Sequence, residues 1–571
     1  MADFFTILLA LSFIGCDQTP SQGNSTNTET TNTIKKNTAE KNTIKKEVSK
    51  TSMPSNVSNV QNISNQPLPP LNPVGSGIFK QEAPKEQSQT ENKAICNNCN
   101  VILITFCSLR KDHVSLYGSE YQITPELEKL GRKGQYFSQA YSASNFTLAG
   151  LTSILTGKFG SATGVTGWDK GLVKDIPTLP EILGFYGYET AGFTIDSASG
   201  FRPDYGLNKG FQHFQIDRAP AKTPDGRDIF GEYVKGAAIL PAMNWLQNRI
   251  QSGKNSPFFL MFHSRTAHFP FVIENTTEEN DPTGLRRMLF EAGKPTGQTQ
   301  QKAMPGMAGG QINQGVSPGT RDPLQILVDQ KGEVVVEVWK ETYREAVERM
   351  DGDLFPLLEI MDRHQLWNNT IVVVVADHGE SLNDHRELLH GDSFYQGVIN
   401  VPMVVYIPDL EANKQQDALV SHVDILPTIL ESVGAMEPAG IDGRSMLGLM
   451  QSKTEKIRDI ALSEGGVAQH NQDNLSAAII SPPWTLLRQR SGCGESRWPP
   501  GTTPVCLYNI ETDPEQKNSL AFQKSNIVSD LTNKWNLYKN SHQSNQGVPL
   551  HLSKEFIQEL QNNGYNFESP Q

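Results

Sequence analysis

The sequence predicts an α/β fold, a large and mostly parallel sheet sandwiched by helices, followed by a smaller antiparallel sheet subdomain. Two apolar runs and one change of pattern carry this reading. Ile371 to Val375 is an unbroken β-branched run, and Asn100 to Phe106 (NVILITF) is a second one. Runs that do not alternate fit strands covered on both faces, as in parallel sheets flanked by helices. After Pro427 the pattern shortens: Ser476 to Ile480, Trp484 to Leu487 and Val505 to Ile510 read as antiparallel strands with turns.

Between the two long runs, strand and helix signals alternate. Thr178 to Tyr186 reads as a helix, Thr190 to Ile195 as a strand after a glycine turn, and Pro257 to Phe262 as a third buried strand. Thr276 to Pro323 is rich in Gly, Pro and Gln and reads as a long inserted loop. Lys340 to His364 has helical periodicity and leads into the Ile371 run, and Ile527 to Lys539 is a late helix. The predicted domains are a signal over 1–16, a disordered tether over 17–95, the α/β domain over 96–445, the second subdomain over 446–540 and a tail over 541–571.

The 571 residues suffice for two packed units with sizeable cores. A net charge of −12 leaves no basic field of the kind nucleic acid requires, so nucleic acid is excluded as the expected partner. Met1 to Cys16 (MADFFTILLALSFIGC) has an apolar core too short to span a bilayer and ends in small residues and a cysteine. It resembles a bacterial lipoprotein signal, which implies cleavage before Cys16, lipidation of that residue and a membrane-anchored protein in the cell envelope. An ordinary secretory signal is the alternative. The tether is poor in aromatics, cannot bury enough apolar area to order itself, and repeats NTIKK at Asn32 to Lys36 and Asn42 to Lys46. As a coil it reaches about 50 Å.

Cys96 and Cys99 form one close pair, and Cys493 and Cys506 flank a Pro/Gly-rich loop; outside the cytoplasm these read as two local disulfides. Cys107 is then left over. It follows the Asn100 run, as Asp377 and His378 follow the Ile371 run. Open α/β sheets place ligands at the carboxyl ends of their strands, so these polar residues are the candidate site.

The ordered landmarks resemble the sulfatase family of the alkaline phosphatase superfamily. NVILITFCSLRKDHVSLYG looks like the opening strand and metal loop, and LTSILTG like the nucleophile helix. HSRTAHFPF, ADHGE, LLHGDSFYQGVINVPMVVY and HVDILPTILESVG follow in the family's order. The resemblance implies an ester hydrolase or phospho-transferase acting on an anionic sulfate or phosphate ester at a divalent-metal site. It assigns the nucleophile's place to Thr147, metal-ligand places to Asp377, His378 and Cys107, acid–base or substrate contacts to His268 and His390, and a positive charge to Lys158. A threonine beside a helix start is also commonly only a cap.

The departures from the family pattern matter as much. A sulfatase nucleophile is a formylglycine made from Cys or Ser in C-x-P-S-R, whereas this chain has Thr147-Leu148-Ala149-Gly150-Leu151, which lacks both the precursor and the arginine. Cys107 stands where the family has its first metal aspartate. Calcium or magnesium is implied by resemblance, but both want hard oxygen ligands, and a thiolate shifts the preference towards zinc. Ile195-Asp196-Ser197 replaces a Lys-x-His, and Asp392 stands where histidine is frequent. The readings that remain are a phosphate-type ester hydrolase with Thr147 as nucleophile, a sulfate ester hydrolase, and a non-catalytic envelope binding protein.

Overall fold

The two apolar runs are neighbouring parallel strands at the centre of an eight-stranded sheet. The computed structural model describes residues 94–194, 200–216, 239–269, 281, 283–292, 323–466, 475–489, 492–493, 504–542 and 547–550. The signal, Cys16 and the tether up to 93, together with Ile195, Asp196 and Ser197, lie outside the described residues.

From one edge the sheet runs Lys414–Gln416, Gln135–Phe137, Met403–Tyr406, Thr370–Ala376, Asn100–Phe106, Phe258–Ser264, Glu189–Thr194 and His213–Ile216. All pairings are parallel except those of Met403–Tyr406, which runs antiparallel to both neighbours. In the strands Asn100–Phe106, Phe258–Ser264 and Thr370–Ala376 every residue is buried. Successive strand side chains point to opposite faces, so complete burial means that both faces are covered. Helices supply the cover, among them Thr147–Thr156, Ile239–Gln251, Glu333–Gly352 and Ile425–Val433.

Two expectations are corrected. The periodic stretch from Lys340 to His364 is two helices, Glu333–Gly352 and Phe355–Arg363, because Pro356 has no N–H to continue the first and sits in the opening turn of the second. Within the expected loop from Thr276 to Pro323, Leu285–Ala292 is a helix. Arg286 anchors it by pairing with Glu345 at 2.7 Å and Glu341 at 3.0 Å. Among the described residues no helix is long and apolar enough to cross a membrane.

The smaller sheet is antiparallel, in the order Ala461–Glu464, Ala477–Ser481, Trp484–Arg488 and Val505–Asn509. A disulfide joins Cys493 to Cys506 beside its last strand, and another joins Cys96 to Cys99. One buried carboxylate fastens this sheet to its surroundings. Glu464 accepts the N–H of Ser161 at 2.8 Å, the Ser161 hydroxyl at 2.7 Å and the Trp535 indole N–H at 2.7 Å, the last from the helix Ser525–Ser541. Its own N–H donates to Ala143 at 2.9 Å. Burial pushes the Glu464 carboxyl up, and the three donors work against that rise. Glu464→Ala strands those donors away from water, which is expected to cost about 3 kcal/mol. Denaturant unfolding monitored by Trp535 fluorescence reads this as a lower midpoint at constant slope; a change below about 0.5 kcal/mol would show that the sheet is held elsewhere.

Candidate active site

Strand register brings the candidate residues level. Phe106 pairs with Ala376 on one side and with Ser264 on the other, so Cys107, Asp377 and Arg265 leave the sheet together at its carboxyl edge. Two further bonds extend the ladder past the strands: Cys107 N–H donates to Ser264 at 2.8 Å and Asp377 N–H to Phe106 at 2.9 Å. Asp377 is fully buried. Its Oδ1 accepts the N–H of Ser108 at 3.2 Å and of His378 at 2.7 Å. Its Oδ2 is buried without a hydrogen-bond partner, with His263 Nε2 4.0 Å away.

Ser108 reaches Asp377 because its backbone is left-handed, at φ +61°. Tyr343, on the helix Glu333–Gly352, steadies that turn. Its hydroxyl donates to Ser108 O at 2.7 Å and accepts Arg110 N–H at 2.9 Å.

Thr147 is the first residue of its helix, preceded by an extended Phe146 and with no side chain capping the first turn. The expectation that Thr147 is merely the cap is therefore not met. Free N–H groups at such a helix start suit an anion. The helix packs close to the strand end because Gly150 has no side chain, since a Cβ there would lie 2.7 Å from Asp377 O. As a result Thr147 Oγ1 is 3.3 Å from Cys107 Sγ and 3.2 Å from His378 Nε2. His378 Nδ1 faces Gly379 O at 2.7 Å, and a carbonyl can only accept, so Nδ1 carries the proton. That leaves the Nε2 lone pair directed at Thr147 and at Cys107, the latter 3.9 Å away.

His268 and His390 join the same cluster. Their rings are 5.0 Å apart, and His390 stacks 4.1 Å from His378. His390 Nδ1 lies 3.0 and 3.1 Å from the oxygens of buried Glu380, and His268 Nδ1 donates to Phe269 O. Lys158, expected beside the substrate, is elsewhere. It follows the carboxyl end of the ten-residue helix that Thr147 opens and donates to Gly440 O. Ten helical residues span about 15 Å, so the charge is at the wrong end.

Burial dominates the electrostatics. It pushes the Cys107 thiol well up, helped by Asp377 and opposed by Arg265. It lowers His378 to about 4 and His390 to about 3, lowers His268 as well, and raises Glu380 to about 8. Burial also opposes ionisation of Asp377, but nearby His378, His263 and His390 and the Ser108 N–H outweigh it, and the carboxyl stays below its usual range. Since the three rings are neutral near pH 7, the two backbone N–H bonds are the contribution that persists there.

Could these residues hold a divalent ion? One ligand atom each from Cys107, Asp377 and His378 lies within 4.8 Å of the others, and all three residues are buried. The unpartnered Asp377 Oδ2 and the outward Nε2 lone pair of His378 are what such an ion would take up. The donor set therefore fits a cation.

Comparison with known proteins agrees with this geometry. The family model Sulfatase matches residues 99–435, more than half of the chain. The chain belongs to the sulfatase family. Arylsulfatase K of Canis lupus familiaris is 23% identical over 503 residues, covering 82% of this chain and 88% of that one. N-acetylglucosamine-6-O-sulfatase of Bacteroides thetaiotaomicron is 24% identical over 409 residues, 63% of this chain and 72% of its own. Among solved structures, the phosphonate monoester hydrolase of Agrobacterium radiobacter has a TM-score of 0.56 at 17% identity, covering 80% of this chain and 98% of that one. A 2-O GAG sulfatase has a TM-score of 0.57 at 18% identity, covering 78% and 93%. These relatives are ester hydrolases, and the sulfatase fold of the chain is the α/β sandwich with a smaller antiparallel sheet.

Several residues of the site were not found from sequence: Ser108, His263, Arg265, Tyr343, Glu380 and His422. His422 Nε2 donates to Ala376 O at 2.9 Å, and its Nδ1 accepts Ala143 N–H at 3.3 Å, tying the strand end to the segment before Thr147. One signal existed for His263, an imidazole inside the buried run FFLMFHS, where a polar ring needs partners.

The cysteine arrangement is directly testable. Cys107 is free and fully buried. Alkylation without reductant is expected to leave it unmodified in the native protein and to label it after denaturation. Peptide mass analysis should then find Cys96 with Cys99 and Cys493 with Cys506 still joined. Labelling at any of those four would contradict the pairing.

Proposed function

We propose that this sulfatase-family protein hydrolyses an anionic ester, phosphate in preference to sulfate, with Thr147 as the nucleophile. The observation that carries the reading is the meeting of Thr147 Oγ1, Cys107 Sγ and His378 Nε2 within 3.9 Å at an uncapped helix start. A threonine cannot furnish the formylglycine of sulfate-specific members, whereas its hydroxyl is a sufficient nucleophile for a phosphoryl group.

Cys107, Asp377 and His378 would hold the divalent ion, with zinc favoured by the thiol. When bound, that ion lowers the pKa of a neighbouring hydroxyl and offsets developing negative charge. The helix start orients the ester anion against Thr147. Thr147 Oγ1 forms a bond to phosphorus as the ester P–O bond breaks, and the departing alcohol takes a proton from His268 or His390. Water then cleaves the Thr147 phosphoester, releasing inorganic phosphate and restoring the hydroxyl. Both histidines have Nδ1 committed, to Phe269 O and to Glu380, so Nε2 is the nitrogen that serves.

The reading extends to location. A lipid at Cys16 and the tether over 17–95 would keep the domain at the envelope membrane. Cys16→Ser should release the protein into the soluble fraction or block its processing, and unchanged membrane retention would point to an uncleaved anchor.

An assay on a panel of chromogenic phosphate and sulfate esters, run beside metal analysis, tests the chemistry. The expected result is zinc-dependent turnover, faster on phosphate esters, falling about a thousandfold or more in Thr147→Ala. Cys107→Asp should shift metal preference towards calcium or magnesium, read by competition with a chromophoric chelator. Turnover in Thr147→Ala above a tenth of the starting rate would end the nucleophile assignment. A metal-free protein silent on every ester would favour a binding role.

A further inference from the structure

The family's nucleophile helix carries an arginine for the substrate anion, and here that position is Leu151, fully buried. A dianionic ester held only by a helix start and one cation lacks a guanidinium clamp. The chain has another arginine at the same edge. Arg265 follows Ser264, the residue whose carbonyl accepts the Cys107 N–H, so it is Cys107's neighbour across the sheet. Its carbonyl accepts the His268 N–H at 2.9 Å, which places it at the base of the turn that carries His268. It is only 8% exposed.

A buried guanidinium costs several kcal/mol of desolvation unless it meets negative charge, so its retention inside a catalytic cluster calls for a reason. Its positive charge acts on Cys107, His268 and His390, which belong to three separate segments of the chain. A charge felt by all three occupies the space between them, the same space that Thr147 and His378 border.

We infer that Arg265 binds the equatorial oxygens of the ester anion, supplying from a strand end the charge that Leu151 no longer supplies from the helix. This rests on the ester-hydrolase reading for its substrate class, but the residue's role is separable from turnover. A planar guanidinium offers paired N–H donors that match two oxygens of a phosphate, which a lysine ammonium does not reproduce.

The test measures anion affinity rather than rate. Inorganic phosphate and inorganic sulfate are titrated calorimetrically into the full-length protein and into Thr147→Ala, Arg265→Gln and Arg265→Lys, with circular dichroism confirming the fold of each. The wild type and Thr147→Ala are expected to bind phosphate equally, Arg265→Gln to lose at least about tenfold in affinity, and Arg265→Lys to lose severalfold while staying folded. Equal phosphate affinity in wild type and Arg265→Lys overturns the inference even if Arg265→Gln does not fold, and so does a wild type that binds neither anion. If phosphate binding depends on Arg265 while the wild type turns over no ester, the anion site stands and the hydrolase reading falls.

Discussion

A carboxylate with no access to water has to be satisfied from within the fold, and Asp377 imposes that demand on everything around it. An isolated buried charge is far more costly than the whole stability of a domain, so its oxygens must meet donors or a cation. Oδ1 is met by two backbone N–H groups. One of them, on Ser108, is available only because that residue adopts a left-handed turn, and that turn is held by the Tyr343 hydroxyl from a helix 235 residues further along the chain. Oδ2 is left for something else. The long helix, the first strand's loop and the strand carrying Asp377 are therefore fixed to one another by a single group.

Parallel register does the rest of the positioning. Strands that pair residue for residue end in the same row, and at this row the chain places a thiol, a carboxylate and a guanidinium-bearing residue next to one another. The helix that brings Thr147 then has to approach the row closely. Gly150 permits that approach by leaving room for Asp377 O, so one missing side chain sets the Thr147 to His378 distance of 3.2 Å. A bulkier residue there would move the hydroxyl away from both partners while leaving most of the helix packing intact.

What could be read in the sequence follows from this geometry. Cys107, Asp377 and His378 stand at the ends of long apolar runs, and a run's end is visible without knowing its neighbours. His263, Glu380, His422 and Tyr343 matter through partners that sequence does not place beside them. Thr105 contacts the His263 ring from 158 residues away, and His422 meets Ala376 across 46. The edge strands Gln135–Phe137 and Lys414–Gln416 were missed because three residues are too few to show a period, and they exist only by pairing. Lys158 was misjudged for the opposite reason. It is near Thr147 in sequence, and a helix carried it to the other end of the element.

The changes at positions 107, 147 and 151 have a common electrostatic sense. Two carboxylates at the strand ends would repel one another in a buried site, and the helix arginine would help to offset both. With a neutral thiol at Cys107, pushed up by burial and by Asp377 itself, the cluster holds one anionic ligand instead of two. Less positive charge is then needed on the helix, and an apolar Leu151 packs there at no electrostatic cost. The positive charge that remains, on Arg265, sits one strand over, beside the thiol. A site rearranged in this way keeps the balance between its own charges while changing which elements carry them. That is why the sulfatase fold persists around a cluster whose individual residues depart from the family pattern.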